Sequence, residues 1–355
     1  MSKQYDYLVF IGRFQPFHKG HQAVLNRAFE ISENVIVLVG STDQPRSNRN
    51  PFTFKERWNM ISLSNGVEKM QGRLSVLPLQ DMPYNEQEWV RSVQRTVNNE
   101  ILVNTAGNTS QNTLHGMADK KVGLIGCSKD HTSYYLKLFP QWGNESVEFV
   151  DPINATDLRN TYFSTFTWHE ISDFVPESTF EFLKAFELDN DFNVLIDEFS
   201  FVAGYKKQWE QAPYPPTFVC TDAVVVQSGH VLLVKRGASP GKGLWALPGG
   251  FLDQNERIED GMIRELREET KIKVPASVLK GSIVDNKVFD DPNRSTRGRT
   301  ITHGFLIKLP DNIKLPKVKG SDDAVKAKWM PLADVKSDLM YEDHYHIIHN
   351  LTNEL

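Results

Sequence analysis

Cysteine is scarce. Cys127 and Cys220 are the only two in 355 residues, which excludes a disulfide framework and fits a reducing cytoplasm. No apolar run approaches the length of a membrane span, and the opening MSKQYDYLVF lacks the apolar core and cleavage site of a secretory signal. Positive charge is not in excess either: a formal net charge of −5 argues against a general nucleic-acid binder, although local basic patches can still hold small phosphorylated ligands. Neither a Walker A pattern nor GxGxxG occurs, so a P-loop and the usual dinucleotide fingerprint are both excluded. Internal repeats and long low-complexity tracts are also missing, and the polar stretch at 104–116 reads as an exposed loop.

What is present fits two globular domains. The chain is too long for one ordinary domain, and 40% hydrophobic with 24% charged residues is enough apolar material for two cores. YLVFI, then HQAVLNRAFEI, then NVIVLVG follow the order strand, helix, strand, a βαβ unit with buried parallel strands. LSVLPL and KVGLIGC extend a doubly wound sheet, whose ligands sit beyond the carboxyl ends of its strands. From about Trp168 to Gln211 the pattern is helical, until the three prolines of QAPYPPT interrupt it as a linker. Strand-like FVCTDAVVVQ and HVLLVKR, joined through the turn-like SGH, then open a second, α+β domain near Pro213.

The decapeptide GRFQPFHKGH carries Arg13, His18, Lys19 and His21 and no acid, at the expected end of the first strand. A helix N-terminus offers unpaired N–H groups and partial positive charge, and these side chains add donors around it, so the physical reading is a polyphosphate cradle. A solvated basic loop and a two-histidine metal site are the competing readings; no further Cys or acidic ligand accompanies the pair.

The decapeptide resembles the signature of the nucleotidylyl transferase superfamily, with His18 and His21 in the HxGH positions. The resemblance implies that these histidines hold ATP phosphates and stabilise charge at the α-phosphorus, and that Gly12, Arg13 and Phe14 belong to the nucleotide site. The family's SxTxxR motif is matched by NATDLR, with Thr156 and Arg159 retained and Asn154 in place of serine; Arg159 is then a phosphate ligand, and asparagine can still cap a helix. STDQPRSNRNPFTFKERWNMI, DMPYNEQEWV and IGCSKDHTSYYLKLFP resemble the archaeal type of nicotinamide mononucleotide adenylyltransferase. That likeness implies that Asn50, Pro51, Phe52 and Arg57 shape the nucleotide site, that Lys129 and Asp130 bind substrate, and that Trp89 stacks on the nicotinamide ring. A pantetheine-phosphate or other small phosphate acceptor would show the same histidine motif, and a helical tryptophan is commonly core.

In the second half, GGFLDQNERIEDGMIRELREETKI puts Glu265, Glu268 and Glu269 on one helical arc, with Ile258, Met262 and Leu266 as the adjoining apolar stripe. Crowded carboxylates need a divalent cation, and an oxygen-rich set favours Mg²⁺ or Mn²⁺; the competing reading is a solvated charged face. The spacing resembles the Nudix box, which implies metal binding by Glu265, Glu268 and Glu269 and a structural pair between Arg264 and Glu256. Lys271 stands where that family has glycine, so any loss falls on the helix-ending turn. VFDDPNRSTRGRTITHGFLI resembles a segment of ADP-ribose pyrophosphatases. Arg294, Arg297 and Arg299 lie there with no nearby balancing acid in the sequence after Asp291, and Arg297 and Arg299 are expected to bind substrate phosphate or ribose.

The expected architecture is an α/β doubly wound parallel-sheet nucleotidylyl transferase domain over 1–185, a helical linker over 186–212, and an α+β Nudix domain over 213–355. The chain resembles bifunctional bacterial fusions. That implies adenylyl transfer from ATP to nicotinamide mononucleotide, giving NAD, together with Mg²⁺-dependent hydrolysis of ADP-ribose. Neither nucleic acid nor membrane is an expected partner, and self-association stays open. A Nudix half that only senses a metabolite and regulates the transferase, or one acting on another nucleoside diphosphate derivative, is the alternative.

Overall fold

The computed structural model describes residues 3–106, 120–126, 136–147, 154–165, 168–311 and 314–352. Two compact units form, Met1–Thr42 with Asn48–Ile196, and Asp43–Ser47 with Asp197–Leu355. The division falls inside a helix of the expected linker, Asn190–Lys207. Among the described residues no helix is long and apolar enough to cross a membrane.

The first unit runs β1 (Tyr5–Gly12), α1 (Lys19–Ile31), β2 (Ser32–Val39), α2 (Phe54–Ser64), α3 (Gly66–Met70), β3 (Leu74–Pro78), α4 (Glu86–Ala106), β4 (Val122–Gly126), β5 (Gly143–Ser146), α5 (Ala155–Thr165), α6 (Glu177–Phe186) and α7 (Asn190–Lys207), the last extending into the second unit. Its strands are ordered β3-β2-β1-β4-β5 and all pair in parallel. Val9, Ile36, Leu38 and Leu124 on the sheet pack with Val93, Val97 and Ile101 of α4, the buried faces that continuous Val/Ile/Leu runs require. Strand order reverses at β1, whose neighbours are β2 and β4, so the carboxyl end of β1 is the switch point where this architecture forms its crevice. GRFQPFHKGH begins there.

The second unit contains β6 (Thr217–Gln227), β7 (His230–Arg236), β8 (Trp245–Ala246), β9 (Gly249–Phe251), α8 (Ile258–Thr270), α9 (Ala276–Gly281), β10 (Ile283–Phe289), β11 (Arg299–Lys308), β12 (Ala324–Pro331) and α10 (His344–Thr352). The sheet is mixed: order β10-β11-β6-β7-β12, with β8 on β7 and β9 on β6, and β11 parallel to β6. Ser228 and Gly229 both take positive φ, 49° and 70°, as a two-residue hairpin turn demands. Acidic Glu259 and Asp260 occupy the first turn of α8, where they complement the helix dipole. Met262 and Leu266 are fully buried against Ala223, Val225 and Ile307, leaving the carboxylate arc of the same helix to the site.

Lys271 ends α8 in the left-handed region, φ 47° and ψ 32°. A residue with a Cβ pays for that conformation, and glycine does not. Lys271→Gly is therefore expected to stabilise the second unit by roughly 0.5–1 kcal/mol, the left-handed penalty less the added chain entropy of glycine when unfolded. Denaturant unfolding followed in that unit checks this; a destabilised variant would assign the lysine side chain a contact worth more than the strain.

Candidate active sites

In the first unit, β1 leads directly into the turn before α1. Phe14 adopts φ 53°, and its ring covers Gly12 so closely that a Cβ there would fall 2.9 Å from Phe14 Cζ. His18 is the N-cap of α1 in a reciprocal box: the His21 N–H donates to His18 Nδ1 at 3.4 Å, and the His18 N–H donates to His21 Nδ1 at 3.3 Å. The two rings stack with centroids 3.6 Å apart. Because each Nδ1 accepts, each imidazole carries its hydrogen on Nε2. The Lys19 and Gly20 N–H groups, first in the helix, precede the helical ladder, and no acid lies in that turn.

Arginines gather around this turn. Burial, aided by Arg49 and Arg159, lowers the Arg13 guanidinium to about 9; burial likewise lowers Arg57 and Arg159 to about 10. All three remain charged at neutral pH, so the region holds a surplus of buried positive charge that an anion would relieve. Asp81 acts on both Arg13 and Arg57, and Glu56 also acts on Arg57; Asp81 accepts bonds from the Ser41 N–H and hydroxyl.

The arginines differ in what they hold. Arg57, 1% exposed, donates to the carbonyls of Thr53, Arg13, Gly40 and Ser41, tying α2 to the ends of β1 and β2. Arg159 donates to the carbonyls of Asn48 and Gln15 and to the Thr156 hydroxyl. Asn154 Oδ1 accepts the Thr156 N–H at 2.9 Å, so asparagine does cap α5. Gln15 holds Phe52 by two backbone bonds of 2.9 Å, and Asn50 accepts from Arg13 at 3.5 Å. Trp89, partly buried, packs near Phe139 with ring centroids 6.2 Å apart.

In the second unit, Arg264 binds Glu256 through two bonds, 3.0 and 2.7 Å, and also donates to Glu265 and Glu268 at 2.9 and 3.1 Å. Glu269 accepts the Gly249 N–H at 3.0 Å. Burial, then the nearby charges of Glu265 and Asp222, push the Glu269 carboxyl up to about 8; burial raises Glu265 as well. A Cβ at Gly250 would fall 2.4 Å from Glu265 Oε1, so glycine is what lets β9 lie against the acidic arc. Among the described residues, no three His, Cys, Asp or Glu side chains are drawn together as a metal-binding group; Arg264 holds two of the three expected ligands.

Comparison with known proteins places both halves. A Cytidylyltransferase-like family model matches residues 9–111, and a NUDIX domain model matches 216–351. A nicotinamide/nicotinic acid mononucleotide adenylyltransferase of Acinetobacter baylyi is 39% identical over 52% of this chain and 88% of its own. An ADP-ribose pyrophosphatase of Methanocaldococcus jannaschii is 32% identical over 37% of this chain and 70% of its own. The crystal structure of a bifunctional NMN adenylyltransferase/ADP ribose pyrophosphatase from Francisella tularensis, complexed with AMP and a manganese ion, superposes with TM-score 0.86 at 34% identity over 99% of both chains. The chain belongs to this bifunctional family.

In the adenylyltransferase half, the turn at the end of β1 gathers Gly12, Arg13, Phe14, His18, His21, Asn50 and Arg159, with Arg57 beneath as a backbone brace. Lys129 and Asp130 lie outside the described residues. Ser41 and Asp81 were missed by sequence reasoning; each follows a strand, β2 or β3, at the carboxyl edge where this fold places ligands.

In the pyrophosphatase half, no acid follows Asp291 nearby in the sequence, yet the fold supplies acids to Arg294 and Arg299. Arg294 is buried and makes two 2.8 Å bonds to Asp343, 49 residues on. Arg299 donates to the Asp290 carbonyl and lies 3.8 Å from its carboxylate. The Arg297 guanidinium sits 4.8 Å over the Phe251 ring, with the Glu342 charge acting on it.

Proposed function

We infer that the first half makes NAD and pyrophosphate from ATP and nicotinamide mononucleotide, and that the second hydrolyses ADP-ribose to AMP and ribose 5-phosphate. The observation that carries the first is the meeting of two Nε2–H imidazoles, a helix N-terminus and a surplus of buried arginine at the sheet's switch point. A phosphate oxygen of the mononucleotide attacks the α-phosphorus of ATP, and the bond to pyrophosphate breaks. Charge on the phosphoryl oxygens grows as this happens, and His18, His21, Arg13 and Arg159 supply fixed donors for it, so that positioning and electrostatics do the catalysis. Trp89 is the nicotinamide platform in this reading. Trp89→Ala is then expected to weaken mononucleotide binding by roughly 1–3 kcal/mol, the scale of base–aromatic stacking; titration calorimetry measures it, and unchanged affinity would leave Trp89 a packing residue.

For the second half, Glu265, Glu268 and Glu269 on one arc of α8 form an all-oxygen donor set, which suits Mg²⁺, with Mn²⁺ as a substitute. Glu265, Glu268 and Glu269 would hold the cation once Glu265 and Glu268 exchange their bonds to Arg264. Such a cation, when bound, clamps a diphosphate and activates water. The chain's own part is to fix the helix arc through the Glu256–Arg264 pair and to hold β9 against it. Arg297 and Arg299 are assigned to the substrate, the catalytic halves to residues 1–185 and 213–355, and the protein to the cytoplasm, in keeping with its two cysteines. Mass analysis of products from ATP with each mononucleotide, and from ADP-ribose with Mg²⁺, tests the reading; absence of NAD or of AMP would remove the corresponding half.

A further inference from the structure

The mechanism above uses one side of α8. Along another side, next to α9, runs a cleft of about 630 Å³, room enough for a small phosphorylated compound. Its charges are unequal. The two acids that line it already have partners: Glu268 accepts from Arg264 at 3.1 Å, and Asp260 pairs with Lys280. Arg267, Lys271 and Lys273 line it too, and all three are exposed. Among the described residues none of these three makes an ion pair. A chain of formal net charge −5 thus keeps three unbalanced cations in one cleft.

The fold brings them together. Lys271 stands one turn beyond Arg267 and donates its N–H to the Arg267 carbonyl at 3.0 Å. Lys271 and Lys273 flank Ile272, which is buried in the core, so its neighbours are turned outward to the cleft. The backbone is pinned there, because the Thr270 carbonyl accepts the Lys319 N–H at 2.8 Å and the Glu269 carbonyl accepts the Ser321 N–H at 3.1 Å. Lys271 keeps its place at the cost of a left-handed backbone, φ 47°, which glycine would adopt without strain. Cations near a helix C-terminus also complement its dipole. Here the carbonyls of 267, 269 and 270 already accept N–H groups, and Lys273 lies past the last turn of α8, so the dipole does not account for the cluster.

We propose that this cleft is a polyphosphate-binding site, in which Arg267, Lys271 and Lys273 hold a diphosphate or a longer phosphate chain. Arg267 offers a planar fork to phosphate oxygens, and the lysines add point charges on either side of Ile272. Ile263 and Ala276 line the same cleft and leave apolar surface for an attached nucleoside. Pyrophosphate and ATP are the two such anions that adenylyl transfer itself brings to this chain.

Titration calorimetry of the intact protein with inorganic pyrophosphate in EDTA tests this, since without a divalent cation the acidic arc cannot hold a diphosphate. The wild type is expected to bind one more pyrophosphate per chain than a variant carrying Arg267→Gln, Lys271→Gly and Lys273→Gln, whatever the first unit binds. Added salt is expected to weaken the extra site, and NAD formation is expected to be the same in both proteins. Lys273→Glu, a single change at an exposed position, is expected to weaken that site at least ~10-fold by placing like charge against the anion, and it decides the matter should the triple variant not fold. Repeating the titration with ATP separates the sources: tighter binding than pyrophosphate at the extra site assigns it to a nucleotide, and equal or weaker binding to the free anion. Equal stoichiometry in the wild type and a folded triple variant, or unchanged affinity in Lys273→Glu, would overturn the site and leave the three cations a solvated face.

Discussion

His21→Ala is expected to lower adenylyl transfer at least ~100-fold, a loss of roughly 3 kcal/mol in transition-state stabilisation, the scale of one removed oxyanion-type donor. The capping box fixes which ring nitrogen bears the hydrogen, so the substitution removes a donor already oriented before substrate arrives. It also removes the acceptor for the His18 N–H, which is expected to cost the fold about 1 kcal/mol, as lost caps do. His21→Asn separates the two effects, because its side-chain oxygen can accept that N–H while lacking the reach of imidazole. Its stability is expected near wild type and its transfer rate near that of His21→Ala. Steady-state NAD formation with a thermal melt on each variant measures both; wild-type turnover in a folded His21→Ala would return the decapeptide to a solvated basic turn.

Glu269→Gln is expected to abolish ADP-ribose hydrolysis, by ~100-fold or more, because an amide cannot give up a proton and supply the negative charge that this carboxyl would offer to the cation that activates water. Glutamine can still accept the Gly249 N–H, so the link between β9 and α8 is kept. A second readout does not depend on turnover: Mg²⁺ or Mn²⁺ is expected to raise the melting temperature of the wild type and to do so less in the variant. NAD synthesis draws on residues of the other unit and is expected to be unchanged. Intact hydrolysis in Glu269→Gln would mean that this carboxylate is no ligand.

Local order was legible where neighbours in sequence decide it. The runs FVCTDAVVVQ and HVLLVKR became β6 and β7 around the Ser228–Gly229 turn, because β-branched apolar runs and turn chemistry act within a few residues. The acidic arc and apolar stripe of α8 followed from helical spacing alone, as did the strand-to-helix turn holding His18. Pairings across long separations were not legible. Arg294 looked unbalanced because its acid, Asp343, arrives on another loop. Arg57 spends four bonds on backbone carbonyls, which no side-chain pattern announces. Residues Asp43–Ser47 group with the second unit, where Ser337 Oγ donates to the Asp43 carbonyl at 2.8 Å, and nothing in that short polar stretch distinguishes it from its flanks.

The central claim is that one chain carries two independent phosphoryl-centred reactions at the residues named. The most direct measurement is mass-resolved product analysis of wild type and Glu269→Gln, each given ATP with nicotinamide mononucleotide and, separately, ADP-ribose with Mg²⁺. NAD and pyrophosphate are expected from both proteins at similar rates, and AMP with ribose 5-phosphate from the wild type alone. Loss of NAD in the variant, or no AMP from the wild type, would contradict the account.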